Sequence, residues 1–454
     1  MREQELKIPI SNGQKDLLSY LATYVEDKNH VDGFPVRFAI TETDDHHYHC
    51  EVGTLFEETS GDIDDLASIF DFQKRQLENT DTFNAVLLVP TGIGSEIGGH
   101  AGDAGPVSRL MASVCDTLIT HPNVVNASDI NEMTDNTLYV EGSVLARLLM
   151  GTVGLQKVRN NRVLLVIDDH EKEVFVNAAI NAVNGARATY GLDCPEVVRL
   201  SPPIEMSAEF SSSGMAVGNI VGMENLFQLL DKKKEEYDAI ALSSVIHVPF
   251  DWHTEYFEKE GEMLNPWGGV EAMLTHAVSH LYNLPSAHSP MFETENIANM
   301  DPGIVDSRMA AEAVSLTFLQ CILKGLKRSP KIITDQESMK SPKAITAEDV
   351  SCLVIPDKCI GLPTLAALEQ GIPVIAVRDN TNIMKNDLTA LPWRSNQLHI
   401  VDNYLEAVGV MAAIKSGIPT ESVLRPLEST RVNKEASNDF LQSIQSSQKE
   451  ENKL

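Results

Sequence analysis

From Asn84 onward the chain alternates short, mostly apolar runs with longer stretches of helical periodicity. Ala85–Val89, Val163–Ile167, Val197–Leu200, Ala239–Leu242, Cys352–Ile355 and Val374–Val377 have the length and composition of strands covered on both faces. Between them, apolar positions recur with a 3.6-residue period over Val107–Ile119, Glu171–Tyr190, Met223–Lys234, Gly269–Tyr282 and Ser307–Leu326. Buried strands separated by helices predict an α/β fold of doubly wound, mostly parallel sheets, in two Rossmann-like halves.

The first 80 residues have a different texture and predict a small α+β layer. A helix is expected over Gln14–Tyr24. A hairpin follows, with strands Phe34–Thr41 and Tyr48–Phe56 turning near Asp44 and Asp45. Acidic text from Glu57 to Asp65 and one more helix lead out of it. The expected organisation is 1–80 as this layer, 81–250 as a first α/β domain, 251–427 as a second α/β region and 428–454 as a polar tail.

Composition adds constraints. The 454 residues are 43% hydrophobic and 22% charged, an ordinary globular balance, and suffice for a large core. Lys and Arg number 36 against 65 Asp and Glu, a formal net charge of −29. A surface this negative repels phosphate backbones and anionic headgroups, so neither nucleic acid nor a membrane is expected as a partner. A homo-oligomer stays open. The six cysteines are scattered and contain no C-x-x-C pair, the opening residues lack an apolar leader, and no apolar run is long enough to cross a bilayer. A cytoplasmic location is the expectation.

Two concentrations of residues carry candidate chemistry. Six glycines fall within the fourteen residues from Gly92 to Gly105, directly after an expected strand and before a helix opened by Pro106. Such a loop permits close backbone approach, and the helix start favours an anion. It lacks the Lys of a P-loop and misses the dinucleotide spacing by one residue. The expected binding groups are Thr91, Gly92, Gly94, Ser95, Gly98, Gly99 and Gly102, with His100 and Asp103 as proton-moving groups. Beyond the next helix, His121, Asn123 and Asn126 end an apparent strand and Glu141 precedes a turn. Carboxyl ends of strands are where open α/β sheets place ligands.

The second concentration is Asn265–Pro290. His276 and His280 stand four apart on one helix face, and His288 follows the break at Pro285. With no adjacent acidic residue the pattern falls short of the H-E-x-x-H zinc motif, so no metal site is assigned and any cofactor is unknown. Glu271 is nine residues before His280, roughly on the opposite side. His46–His49 reads as solvated surface. The glycine stretch and the histidine helix are expected to converge on one site.

Within residues 351–380, a strand, a Gly361-led helix containing Pro363 and a second strand resemble the nucleotide-binding half of nucleotide-sugar transferases and sugar-nucleotide 2-epimerases. That resemblance implies a diphosphate at Gly361. A broader resemblance, from about residue 84 to about 420, rests on PTGIG, GGHAGDAGPVSRLMASV, LITHPNVVNAS, YVEG and GGVEAMLTHAVSHLYNLPSAHSP. These are similar to a widespread group of bacterial cytosolic proteins known only as a domain of unknown function, which implies one functional unit and no residue roles.

The reading is an enzyme doing acid/base chemistry, isomerase or lyase work or group transfer, on a small anionic metabolite held by the glycine-rich loop. His100, Asp103, His121, Glu141, His276 and His288 are its expected proton-moving residues. A binding or regulatory protein without turnover and a nucleotide-sugar-dependent transferase or epimerase are the alternatives.

Overall fold

Ala85, Val86 and Leu87 expose none of their surface, because the strand that carries them lies at the middle of a six-stranded sheet. Asn84–Leu87 pairs in parallel with Val350–Pro356 on one side and Thr117–Thr120 on the other. Outward from Val350–Pro356 come Val374–Val377 and Leu398–Val401, and outward from Thr117–Thr120 comes Thr137–Tyr139. All neighbours are parallel, so every carboxyl end lies on the same edge.

The order has a consequence for function. Each group of three strands progresses away from the central pair, so the connections leave Asn84–Leu87 and Val350–Pro356 in opposite directions. That reversal opens a crevice at the carboxyl edge, the position where open α/β sheets hold ligands. The glycine-rich stretch emerges from one central strand and the loop to Gly361 from the other.

The chain is described by a computed structural model over residues 1–11, 16–56, 66–258, 263–315 and 317–433. Between its two visits to the first sheet it builds a second. There Val163–Asp168 lies parallel to Val197–Leu200 and to Ala239–His247, and Ser286–Met291 joins in parallel. An antiparallel hairpin, Glu205–Phe210 with Ala216–Val221, attaches at Met206 and Ser207. The fold is α/β with mostly parallel sheets, as the apolar runs predict.

The amino-terminal layer is an antiparallel sheet ordered Arg2–Pro9, His47–Leu55, Phe34–Thr43 and Ile360–Gly361. The expected hairpin is present. The Arg2–Pro9 strand escapes the sequence reading because only Leu6 and Ile8 of it are buried core residues. The helix is Leu17–Val25, capped by the Asp16 carboxylate on the Ser19 N–H at 2.9 Å. Its expected start at Gln14 and the acidic run Glu57–Asp65 lie outside the described residues.

Three expected helices differ. Residues 66–80 form no helix. Arg75 there gives its backbone N–H to the Gln370 side chain at 2.7 Å and its guanidinium to the Val350 carbonyl at 3.0 Å. The helix expected to reach Ile119 is Gly105–Ala112, and Leu118 and Ile119 belong to a strand. The Asn136 amide donates to the Ala112 and Cys115 carbonyls at 2.8 and 3.1 Å and so stabilises the early end. Ser307–Leu326 divides into Ala310–Ala313 and Leu319–Leu326. At the start of the second piece the Asp129 carboxylate accepts the Gln320 N–H at 3.0 Å and the Thr317 hydroxyl at 2.8 Å.

Met1–Ala412 make one compact unit and Ala413–Leu454 another. The described part of the second holds the last residues of the helix Tyr404–Lys415 and a 3-10 turn, Thr420–Val423. The expected polar tail from 428 is described only to residue 433.

Candidate functional site

The crevice at the central strands opens into a cavity of about 280 Å³. Thr91 and Gly99 of the glycine-rich stretch reach its wall. So do His121, Asn123 and Asn126, which follow the Thr117–Thr120 strand, and Glu141, which follows Thr137–Tyr139. Gly361 contributes from beyond Val350–Pro356. Three helices, Gly142–Leu149, Gly268–Tyr282 and Leu362–Gln370, present their first residues to the same space. Unsatisfied N–H groups and aligned peptide dipoles at such starts favour negative charge.

The histidine helix lies along this cavity. Gly268, Glu271, Ala272, Thr275, His276 and His280 line it, spaced by three, one, three, one and four residues, which is one broad helix face. Glu271 also lines the cavity, although nine residues set it on roughly the opposite side of the helix from His280. The cavity therefore wraps about half the helix circumference, and Thr275 and His276 fill the arc between the two.

Glu141 and His276 form the closest pair. One oxygen of Glu141 caps its helix, accepting the Ser143 N–H at 2.9 Å and the Val144 N–H at 3.3 Å. The other accepts the Nδ1–H of His276 and the Thr275 hydroxyl, the latter at 3.3 Å. Burial works against a charged Glu141, yet the attraction and hydrogen bond of His276, with those of Ser143, hold it below the usual carboxylate range. With Nδ1–H given to the carboxylate, Nε2 of His276 is the basic nitrogen. The packing is tight: a Cβ on Gly142 would stand 2.9 Å from the His276 ring.

His121 is the second imidazole on the wall. Its Nε2 accepts the Val89 N–H at 3.1 Å, so the neutral ring carries its proton on Nδ1. Burial, helped by the charge of His276, lowers it to about 4 and keeps it neutral at physiological pH. His280 is also lowered to about 4 by burial. Its Nε2–H donates to the Ala67 carbonyl at 2.8 Å, leaving a buried Nδ1 with no partner.

Sequence reasoning missed Arg147. It is 8% exposed, inside the apolar helix Gly142–Leu149, and it lines the cavity. Nη2 donates to the Asn283 side chain at 2.7 Å, while Nη1 is buried without a hydrogen-bond partner. Burial lowers this guanidinium to about 10 against the pull of Glu141, so it stays charged. An Arg amid SVLARLL was the available signal, since a buried Arg needs a reason. Arg37 reaches the wall too, but Glu3 engages it at 2.6 Å.

His288 has both nitrogens committed. Nδ1 donates to Glu271 at 2.8 Å, and the Ser244 hydroxyl donates to Nε2 at 2.7 Å. The order serine, histidine, glutamate is that of a nucleophilic triad. Ser244 is 2% exposed, however, and stands on the wall of neither this cavity nor the adjoining one. The relay thus holds the Glu271 carboxylate through His288 Nδ1 and leaves neither His288 nitrogen open.

Most of the glycine-rich stretch packs against the protein itself. Gly92, Gly94, Gly98 and Gly102 lie off the cavity wall, next to Ala216, Leu264, Val89 and Ala127 respectively. Gly102 has φ +98°, and a Cβ there would stand 2.2 Å from that of Ala127. The helix start at Gly105 is likewise not on this wall. Asn123 clamps the stretch, donating to the Val89 and Gly98 carbonyls at 3.0 and 2.8 Å. Ser95 is buried with no partner for its hydroxyl.

His100 and Asp103 of the stretch lie off the wall. His100 Nδ1 bonds the Tyr256 hydroxyl at 2.8 Å, and burial lowers the ring to about 4. Asp103 accepts the Gly98 N–H at 2.8 Å and burial raises it to about 7.

The six cysteines are free and buried. Cys359 and Cys321 line the first and the adjoining cavity, but burial pushes both thiols up, the wrong direction for a nucleophile. Among the described residues no three His, Cys, Asp or Glu side chains stand together as a metal ligand set. His49 pairs with Asp44 at 2.8 Å in the amino-terminal hairpin.

Residues 84–424, which carry every wall group named above except Arg37, match the model of a family described as protein of unknown function, DUF3326. The chain belongs to that family. The chain is also similar to an uncharacterized lipoprotein of a Synechococcus strain, 34% identical over 343 residues, covering 74% of this chain and 92% of the relative. No solved structure matches. The relative's name points to a membrane-anchored protein and overturns the cytoplasmic expectation. That expectation leaned on the missing membrane-length apolar run, and a lipid anchor requires none. Among the described residues no helix is long and apolar enough to cross a membrane. The likeness of residues 351–380 to nucleotide-sugar enzymes is not shown by these comparisons.

Proposed function

We propose that this chain is an enzyme that moves a proton on a small anionic metabolite, as isomerases and lyases do. One observation carries the reading: the Glu141–His276 pair shares a cavity with Arg147, whose buried Nη1 has no partner. In the proposed complex the anionic group of the substrate takes the open guanidinium nitrogen and lies against the positive dipole ends of the converging helix starts. His276, oriented by Glu141, removes a proton through Nε2. Neutral His121 offers Nδ1–H to the oxygen on which charge develops, as a neutral imidazole can when burial keeps it unprotonated. The Gly361 helix start supports a phosphate as readily as a carboxylate, which leaves a phosphorylated substrate within the class.

The test is exchange of substrate protons with solvent. Wild-type protein in D2O, given a panel of 2-oxo acids, 2-hydroxy acids and sugar phosphates, is expected to catalyse deuterium uptake into at least one. His276→Asn and Arg147→Met should each lose it by a factor of about 100 or more while keeping the wild-type unfolding midpoint. No exchange in any anion, or exchange undiminished in both variants, rejects the proposal.

A further inference from the structure

A second cavity of about 230 Å³ adjoins the first. Ala101, Asn126, Asn265, Glu271 and His288 line both, so the two chambers meet at a common wall. Their chemistry differs. The first carries the arginine and imidazoles described above. The second combines aromatic and aliphatic side chains, among them Phe257, Trp267, Phe292, Phe318, Ile246 and Ile322, with the polar groups of His253, Glu293 and Glu312, and among the described residues it holds no arginine or lysine. The rings brace one another: Phe292 and Phe318 have centroids 5.4 Å apart, and Trp267 stands edge-on to Tyr256 at 5.3 Å. Ile246 and Ile322 are 3% and 1% exposed, so the apolar part of this wall is buried and already formed.

We infer that the substrate is an anion bearing a hydrocarbon tail, with its head in the first chamber and its tail in the second. The inference rests on the proposed anion site. Glu271 fixes the direction. Its carboxylate is held at the common wall by His288 at 2.8 Å, and with Glu293 on the second chamber's wall it repels a negative head there, whereas the first chamber offers the Arg147 guanidinium. A tail has no such penalty and gains by leaving water. Ala298 and Ala313 line the second chamber and leave it open where larger side chains would fill it.

Linear carboxylates from acetate to decanoate, with the matching alkyl phosphates, test this by calorimetry on the whole chain. Affinity should rise by about fourfold per added methylene until the second chamber is full. Ala298→Phe is expected to leave acetate and phosphate binding unchanged and to abolish the dependence on chain length. Ala313→Leu serves the same purpose if the first variant does not fold. Arg147→Met should weaken every member of the series by a similar factor. If short anions bind in an Arg147-dependent way with no dependence on length, the anion site stands and the tail inference falls. A length dependence that survives both chamber-filling variants also overturns it. If wild type binds no anion of any length, the anion site fails and takes the inference with it.

Discussion

The glycine-rich stretch and the histidine helix both look like active-site sequence, yet the fold uses them differently. The stretch contributes Pro90, Thr91, Ile93, Gly99 and Ala101 to the cavity, packs Gly92, Gly94, Gly98 and Gly102 against the chain, and engages His100 and Asp103 with Tyr256 and the Gly98 N–H. The helix contributes an entire face, with His276, His280 and Glu271 on it. Glycine density says that something approaches the backbone closely, without saying what. At Gly102 that something is Ala127 of the same chain. Helical spacing carries more information, because residues three and four apart must share a face whatever the face meets.

The largest effect expected from this contrast is at Gly102. Gly102→Val places a branched side chain at φ +98° and onto Ala127, which should cost about 4 kcal/mol. Urea unfolding should register the loss. A folded variant of wild-type stability that fails only to bind anions would return the stretch to the role of ligand loop.

Asp103 gives the next largest effect, through pH. Burial raises its carboxyl to about 7 in the folded chain, against about 3.9 for an unfolded Asp. The folded state thus holds the proton more tightly, and the stability this contributes is present below pH 4 and lost as pH rises through 7. Relative to Asp103→Asn, wild type should therefore lose about 2 to 3 kcal/mol between pH 5 and pH 7. A difference that stays flat across that window would mean Asp103 is ionised throughout, as a solvated binding residue would be.

The smallest effect is expected at His100. His100→Asn removes the bond to the Tyr256 hydroxyl and should cost about 1 kcal/mol of stability, with anion affinity changed by less than about twofold. Loss of anion binding as large as that of Arg147→Met would place His100 in the site after all.

Four of the six expected proton-moving residues behave differently from one another once placed. His276 and Glu141 pair, His121 is neutralised by burial, and His288 is spent on holding Glu271. None of this was legible in spacing, since each role depends on which nitrogen finds a partner from a distant segment. Arg147 was passed over for the same reason: a helix sequence does not disclose that one guanidinium nitrogen will be left unsatisfied.

The sequence by itself determined the α/β class, six strands of the two large sheets, the early glycine-rich stretch and the face-sharing histidines. These follow from local rules: continuous apolar runs make covered strands, and a 3.6-residue period makes a helix with one buried side. The tertiary structure alone decided that Asn84–Leu87 would lie beside Val350–Pro356, some 265 residues away in sequence, and so where the crevice opens. It also ended the helix at Ala112, through Asn136, and divided Ser307–Leu326, through Asp129. Strand neighbours, burial and hydrogen-bond partners are set by groups far apart along the chain, and local propensity carries no record of them.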